Sequence, residues 1–368
     1  MAHTNGRLNG RTRVLVMFGG QSGEHDVSLR SAQTVIQALD PARYDIVPVG
    51  ITRDGHWLTG GDPMAALTAE SPLFAIGAAA SFDSPDPPVA TQPTEALPAV
   101  MSGHVDVVFP VLHGPMGEDG TVQGMLELSG IPYVGSGVLG SAVAMDKAIA
   151  KTILERAGIA QGPWMLVLRR DWERDPEAIA TRVAVELGFP CFTKPANMGS
   201  SVGIAKAHDA NELVACIDFA ARYDRRILIE QGLDARELEV SVLGNDEPVA
   251  SVAGEIVPSR EFYDYEAKYV DDGSELIIPA PIDADTQAEI QKNAIQAFRA
   301  LDLAGMARVD FFLERGTNKV YLNEVNTIPG FTSISMYPML WEASGLPLPE
   351  LVDRLVALAI ERRDERRA

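Results

Sequence analysis

Val14–Phe18 is an unbroken apolar run of strand length, and the segment from about Asp26 to Leu39 spaces its apolar residues three and four apart. Between them lies Gly19-Gly20-Gln21-Ser22-Gly23, so the order is strand, glycine turn, helix: half of a βαβ unit. The pattern then predicts a strand over Tyr44–Ile51. A second buried strand, Val105–Leu112, leads through His113-Gly-Pro-Met-Gly-Glu-Asp-Gly120 into a helix over Thr121–Ser129. This is the order of an open parallel sheet, whose ligands bind at the carboxyl ends of the strands, where both glycine loops sit. Residues 60–100, rich in Pro, Ala, Ser and Asp with little periodicity, read as a long insertion.

Ile131–Gly140, with Pro132, Gly135, Gly137 and Gly140, reads as a linker. Beyond it the pattern predicts a helix over Asp146–Ala157 ending at Gly158, and a strand over Trp164–Leu168. Asp175-Pro176 supplies a cap and a first-turn proline for the next helix. Strand Cys191–Lys194, helix Asn211–Arg222 and strand Ile227–Glu230 complete a small α+β unit. From Leu233 strands dominate: Glu237–Leu243, Val249–Ile256, Leu276–Pro279, Ala307–Leu313 and Lys319–Val325. Helix Thr286–Leu301 interrupts them, and a helix from about Pro349 to Arg362 follows. The expected class is α/β, turning α+β in the C-terminal part.

Composition narrows the function classes. The 368 residues suit two or three domains, and 31 Lys+Arg against 51 Asp+Glu leave a formal charge of −20. So acidic a chain argues against general nucleic-acid binding, which uses a basic patch or stripe, yet a few local lysines can still hold a nucleotide. No apolar run approaches the ~18 residues of a membrane span. The polar, basic start is followed by too short an apolar run for an export signal. The two cysteines, Cys191 and Cys216, lie in no metal-binding spacing. The expectation is a cytoplasmic globular protein that binds neither nucleic acid nor membrane.

Against this background a few segments can carry chemistry. Glu324 and Asn326 are two apart on a predicted strand and share a face, which Asp310 on the neighbouring strand can join. Two carboxylates and an amide make a hard-oxygen set suited to Mg²⁺, and the absence of nearby His or Cys disfavours zinc. An exposed strand of alternating polar residues fits the same spacing. Gly199-Ser-Ser-Val-Gly203, five residues after Lys194, can cradle phosphate oxygens with its backbone N–H groups. On spacing alone an ordinary strand-to-strand turn is the favoured reading. Lys147 is a second candidate phosphate lysine or a solvated helix lysine. Ile227–Leu233 can offer backbone groups and Glu230 to an adenine edge, with Glu237 accepting from ribose hydroxyls, or be a core strand. Glu261–Tyr269, mixing charge with aromatics between strands, reads as a mobile lid or a surface loop.

The order of these segments is more specific than any one of them. FGGQSGEHDVSL, HGPMGEDG, MDK, TKPANMGSSVG, IEQGLDARELEV, FYDYEAKY, RVDFFL and NEVNTIPGFTSISMYP together closely resemble the D-alanine–D-alanine ligase family of the ATP-grasp superfamily, over about residues 13–360. The resemblance implies a three-domain ATP-grasp fold with an N-terminal open parallel sheet. Its domains would be 12–136 with the first D-alanine site, 137–231 with the phosphate loop, and 232–368 with the metal site and lid. It implies an enzyme that consumes ATP to join two D-alanines through a D-alanyl phosphate, supplying a peptidoglycan precursor, with two Mg²⁺ or Mn²⁺ ions. It also implies a homodimer.

The resemblance gives residues their jobs. Asp310, Glu324 and Asn326 match metal ligands, and Lys147, Lys194 and the lid's Lys268 match phosphate contacts. Glu230, Leu233, Glu237 and Phe262 match the adenine and ribose site. Arg308 and the Gly330 N–H match the oxyanion donors. Glu24 matches the anchor for the first substrate's ammonium, and Ser335 a contact to the second carboxylate. Glu24, Ser200 and Tyr269 match a trio joining three segments, while His113 borders the first substrate. A D-Ala–D-lactate or D-Ala–D-serine ligase is the near alternative, disfavoured by the intact lid sequence with Tyr269. Another ATP-grasp ligase is more distant, since a generic nucleotide site does not require HGPMGEDG and FYDYEAKY, and so is a non-catalytic ATP-grasp regulator, since no metal ligand is missing and Arg308 is present.

Overall fold

The computed structural model describes residues 10–69, 71, 88–92, 105–258 and 274–365, arranged around three sheets. The first sheet contains β1 (Thr12–Gly19), β2 (Tyr44–Ile51), β3 (Trp57–Thr59), β4 (Val89–Thr91) and β5 (Val107–Val111), in the order β4-β3-β2-β1-β5. β1 pairs in parallel with both β2 and β5, as the apolar runs predict, while the short β3 and β4 add antiparallel edges. Helices α1 (His25–Ala38), α2 (Pro63–Ala69) and α3 (Thr121–Ser129) connect them. The segment read as an insertion thus carries one strand and a helix, and most of its remainder lies outside the described residues.

β1 shows why a central parallel strand must be apolar throughout. Val14, Val16 and Phe18 face one core with Leu29, Ala32 and Val35 of α1. Leu15 and Met17 face the other with Val122 and Leu126 of α3. The alternation of side chains sends neighbouring residues into different cores.

The second region begins with α4 (Val138–Met145) and α5 (Lys147–Arg156), whose Asp146 cap accepts from Ala148 N and Ile149 N. There follow β6 (Trp164–Leu168), α6 (Arg169–Arg174), α7 (Pro176–Glu186), β7 (Cys191–Pro195), β8 (Ala205–Ala207), α8 (Ala210–Ala220) and β9 (Arg226–Gln231). The sheet order is β6-β9-β7-β8. α4 replaces part of the expected linker. It and α5 also depart from the expected domain division: Ala144, Ala150 and Leu154 bury in the core of the third sheet, with Val240 and Phe311.

The third sheet, β12-β11-β10-β13-β14, is antiparallel. It comprises β10 (Ala235–Gly244), β11 (Val249–Val257), β12 (Glu275–Ile277), β13 (Gly305–Glu314) and β14 (Val320–Asn326), with α9 (Ala284–Ala300) on one face. After it come α10 (Met336–Ala343) and α11 (Leu348–Glu365). These last helices tie the ends of the chain together. Phe331, Tyr337, Trp341 and Leu355 share a core with Val14, Val16 and Phe18 of β1. Arg362 donates to the carbonyls of Gly135 and Tyr133 at 2.7 and 3.2 Å. This shared core fixes the first sheet against the third, and the cleft opens between them and the second.

Candidate active site

One face of the third sheet supplies the charged floor. Glu239 pairs with Asp310 across β10 and β13, and Asp310 with Glu324 across β13 and β14. One register step away, Arg308 pairs with Asn326. Antiparallel partners share a face, so these five side chains stand together. The ladder shifts register just after Asp310, leaving Asn323 as an extra residue on β14, and a bulge of this kind re-aims side chains beside a site.

Arg308 donates from Nε and Nη2 to the two Asp310 oxygens, each at 2.7 Å, and its Nε lies 2.9 Å from Glu239 Oε2. Asn326 Nδ2 donates to Asp310 Oδ2 at 3.0 Å. Asp310, Glu324 and the Asn326 amide oxygen are the hard donors a Mg²⁺ or Mn²⁺ ion takes. Among the described residues no group of three His, Cys, Asp or Glu side chains forms a ready metal cage. Mg²⁺ usually takes one or two carboxylates and completes its shell with water and phosphate oxygens, so two carboxylates and an amide oxygen could hold it.

The second sheet supplies the cationic wall. Lys194 on β7 and Lys151 on α5 place their Nζ atoms 2.5 and 2.6 Å from the two oxygens of Glu230 on β9. Burial works to raise the Glu230 pKa, but the two ammonium groups outweigh it and hold the carboxyl down at about 2. Burial likewise works against the charged Lys194, yet Glu230, Glu324 and Glu237 raise its pKa above the usual lysine value. Lys147, the first residue of α5, donates to Met198 O at 2.6 Å and lies 4.0 Å from Glu324 Oε2. It therefore bridges the glycine-serine loop and the carboxylate floor.

That loop joins the antiparallel β7 and β8, so it is the strand-to-strand turn that the spacing allowed, placed at a cleft. Ser200, Ser201 and Gly203 all have left-handed backbone, with φ of 49°, 58° and 75°. Two non-glycine residues there are uncommon, and successive left-handed turns bend the chain tightly. The Ser200 Oγ is buried with no hydrogen-bond partner among the described residues.

Glu24 reaches this loop from the first sheet. It occupies the cap position of α1 but makes no side-chain capping bond, so its buried carboxylate is not spent on its own helix. A methyl group added to Gly114 or to Gly199 would come within 2.9 or 3.0 Å of Glu24 Oε2. The carboxylate is wedged between the two glycine loops. The expected Glu24–Ser200–Tyr269 trio is not closed here: the Ser200 hydroxyl does not bond Glu24, and Tyr269 lies outside the described residues. So do Phe262 and Lys268.

At the far end, Ser335 folds over Gly330, whose added methyl would sit 2.7 Å from Ser335 Oγ. The Ser335 hydroxyl accepts from Thr332 N at 2.9 Å and lies 2.8 Å from Thr332 Oγ1. It stands at the cap position of α10, where unpaired backbone N–H groups favour an anion. Glu24, Lys147, Lys194, Glu230, Leu233, Glu237, Arg308, Asp310, Glu324, Asn326, Gly330 and Ser335 all line one cleft of about 600 Å³.

His113 lines it too, but both ring nitrogens have protein partners. Nδ1 lies 2.9 Å from Ile328 O, which can only accept, so Nδ1 carries the proton; Nε2 lies 3.5 Å from Ser31 Oγ. Burial lowers its pKa and keeps the ring neutral.

Four polar residues at this site have no role in the sequence reading. Lys151 follows Lys147 by one helical turn, a spacing that could have revealed it. Glu239 is the next same-face position after Glu237 on a predicted strand. Glu118 sits inside the HGPMGEDG string: burial, and then repulsion from Glu24, push its pKa up to about 8. Ser31 carries no local signal.

Known proteins resemble this chain over nearly its whole length. A family model described as the D-ala D-ala ligase N-terminus matches residues 13–136, and one described as the D-ala D-ala ligase C-terminus matches residues 153–357. A D-alanine–D-alanine ligase of Heliobacterium modesticaldum is 52% identical over 357 residues, covering 96% of each chain. The solved structure of the D-alanine–D-alanine ligase from Coxiella burnetii has a TM-score of 0.79 at 37% identity, covering 97% of this chain and 96% of that one. A D-Ala:D-Ser ligase from Enterococcus faecalis has a TM-score of 0.78 at 35% identity, covering 95% of this chain and 99% of that one.

Proposed function

The chain belongs to the D-alanine–D-alanine ligase family, and from that premise we infer that it joins two D-alanine molecules at the expense of ATP. The observation that carries this reading is the single cleft holding a carboxylate floor, a lysine wall, Glu24 at one end and Ser335 at the other. The adenine end lies at Glu230, Leu233 and Glu237, and the family pattern adds Phe262. Because both Glu230 oxygens are occupied by lysines, its side chain orders Lys151 and Lys194, and backbone groups of the 230–233 segment face the base. Lys147 and Lys194, with Lys268, neutralise the phosphates. Asp310, Glu324 and Asn326 hold Mg²⁺ or Mn²⁺, which when bound neutralises charge on the phosphate oxygens.

Glu24 binds the ammonium of the first D-alanine, and the family pattern gives it Ser200 and Tyr269 as partners. One oxygen of that substrate's carboxylate attacks the γ-phosphorus, and ADP leaves. The second D-alanine, its carboxylate at Ser335 and the start of α10, attacks the carbonyl carbon of the acyl phosphate with its amine. The ammonium proton must leave before this attack. Arg308 and the Gly330 N–H donate to the oxyanion, which collapses with expulsion of phosphate. No side chain forms a covalent bond to substrate.

The three sheets support domains at 12–136, 137–231 and 232–368, with residues 138–156 packed on the third. Among the described residues no helix is long and apolar enough to cross a membrane. A cytoplasmic homodimer making a peptidoglycan precursor completes the reading. The likeness to a D-Ala:D-Ser ligase makes the second substrate the point to test. Phosphate release is measured with D-alanine alone, and product composition with D-alanine plus D-serine or D-lactate at neutral pH. We expect D-alanyl-D-alanine to dominate; a mixed product in excess would reassign the second site.

A further inference from the structure

The loop that carries Gly330 follows β14 in the third sheet, yet its backbone is held by the first. Ile328 is gripped on both sides of its backbone by the 113–118 loop. Its N–H donates to Glu118 Oε1 at 3.1 Å, and its carbonyl accepts from His113 Nδ1 at 2.9 Å. Glu118 is fixed in turn by the Gly114 N–H, 2.6 Å from Oε2. On the other side of Gly330, the Phe331 N–H donates to Ser31 Oγ of α1 at 3.0 Å. The Phe331 ring is fully buried, edge-on to Phe109 of β5 with centroids 6.0 Å apart. Pro329, between the grips, has a fixed φ and no N–H. Ser31 also lies 3.5 Å from His113 Nε2, linking the two grips.

We propose that His113, Glu118 and Ser31 are positioning residues that aim the Gly330 N–H at the oxyanion, so that the first sheet sets the geometry of an oxyanion donor borne by the third. This rests on the reading of Gly330 given above. The physical reason is that an oxyanion donor works only if it is held in place before charge develops. A short irregular loop cannot hold a peptide plane by itself, because its backbone groups have no ladder partners. Anchors on the residues two before and one after Gly330 leave that plane little freedom.

The chemistry of the contacts makes the proposal specific. An asparagine side chain ends near the position of imidazole Nδ1, so His113→Asn keeps a donor toward Ile328 O and loses the Ser31 contact. His113→Gln reaches toward Nε2 and loses the Ile328 contact. Glu118→Gln turns an N–H₂ against one of two backbone N–H donors. Ser31→Ala removes the acceptor for Phe331 N and leaves every substrate contact in place.

The test combines steady-state kinetics with the affinity of a dipeptide analogue carrying tetrahedral phosphorus at the reacting carbon. We expect His113→Ala, Glu118→Gln and Ser31→Ala to lower kcat roughly 10- to 100-fold. The analogue should weaken by a similar factor, since it reports complementarity to the transition state. ATP affinity should stay within about threefold, and His113→Asn should recover most of the loss. Recovery by His113→Gln instead would mean that the imidazole acts through Nε2, overturning the proposal. Equal losses in ATP affinity and kcat, with a lowered Tm, would reduce these residues to packing. Ser31→Ala, the smallest change, decides the matter if His113→Ala does not fold. An amide-to-ester replacement of the Gly330 N–H separates the premises. If it changes neither kcat nor analogue affinity, the Gly330 reading itself falls. If it lowers both while the three variants do not, only the positioning role falls.

Discussion

Arg308 and Asp310 form a two-point bridge: Nε and Nη2 of the arginine each lie 2.7 Å from a carboxylate oxygen. The proposed oxyanion donor is thus paired with the proposed cation ligand. Charge-assisted bidentate pairs of this kind are among the stronger polar contacts.

Arg308→Ala should lower kcat about 10²- to 10³-fold, the loss typical of an oxyanion donor. ATP affinity should change far less, while Mn²⁺ binding to the nucleotide-free protein should tighten because the competing cation is gone. Steady-state kinetics and a Mn²⁺ titration check both halves. Equal losses in turnover and ATP affinity would assign Arg308 to the nucleotide.

Asp310→Asn and Glu324→Gln should each raise the Mg²⁺ concentration for half-maximal activity by roughly 10-fold or more, since an amide is a weaker hard-cation ligand than a carboxylate. Melting temperatures without metal should move much less. Activity at saturating ATP, titrated with Mg²⁺, gives the readout.

Lys151→Met should destabilise the protein by roughly 2–4 kcal/mol, because Glu230 keeps only one of its two cationic partners while it stays buried. It should also raise the KM for ATP, since Lys194 is then drawn further onto Glu230. Adding Glu230→Gln to it should restore part of the stability, and urea unfolding of both variants measures this coupling. Full additivity would mean that the two side chains do not act as a pair.

Glu230 also predicts a pH dependence. Its folded-state pKa of about 2 lies below the ordinary value of 4.5, so in that window the unfolded chain binds more protons. Its stabilising contribution is therefore present above pH 4.5 and is lost as pH falls toward 2. The difference in unfolding free energy between wild type and Glu230→Gln should shrink on acidification from pH 5 to pH 3. A difference that stays constant over that range would refute the depressed pKa.

Gly203→Ala should weaken ATP binding several-fold and lower stability by roughly 1–3 kcal/mol, by combining strain with overpacking. Gly203 has φ of 75°, and a Cβ there would come within 2.6 Å of Pro195 and 2.7 Å of Tyr223. Nucleotide titration and thermal melting test it.

The sequence by itself determined the strands and helices whose period is local. Val14–Phe18 is apolar at every position because β1 is buried on both faces, and Tyr44–Ile51 has the predicted bounds. It also determined the shared face of Glu324 and Asn326, because a strand's two-residue period needs no tertiary information, whereas Asp310 joins them through the β13–β14 register. Family membership was legible from the order of the motifs. What only the tertiary structure decided is which distant groups meet. Lys151 and Lys194 close on Glu230 across a helix and two strands, and α4 and α5 leave the central unit for the third sheet's core. Ser31, His113 and Glu118 hold Ile328 and Phe331 across more than 200 residues of chain. Such contacts follow from how three sheets stack, and no periodicity along the chain encodes the distance between two sheets.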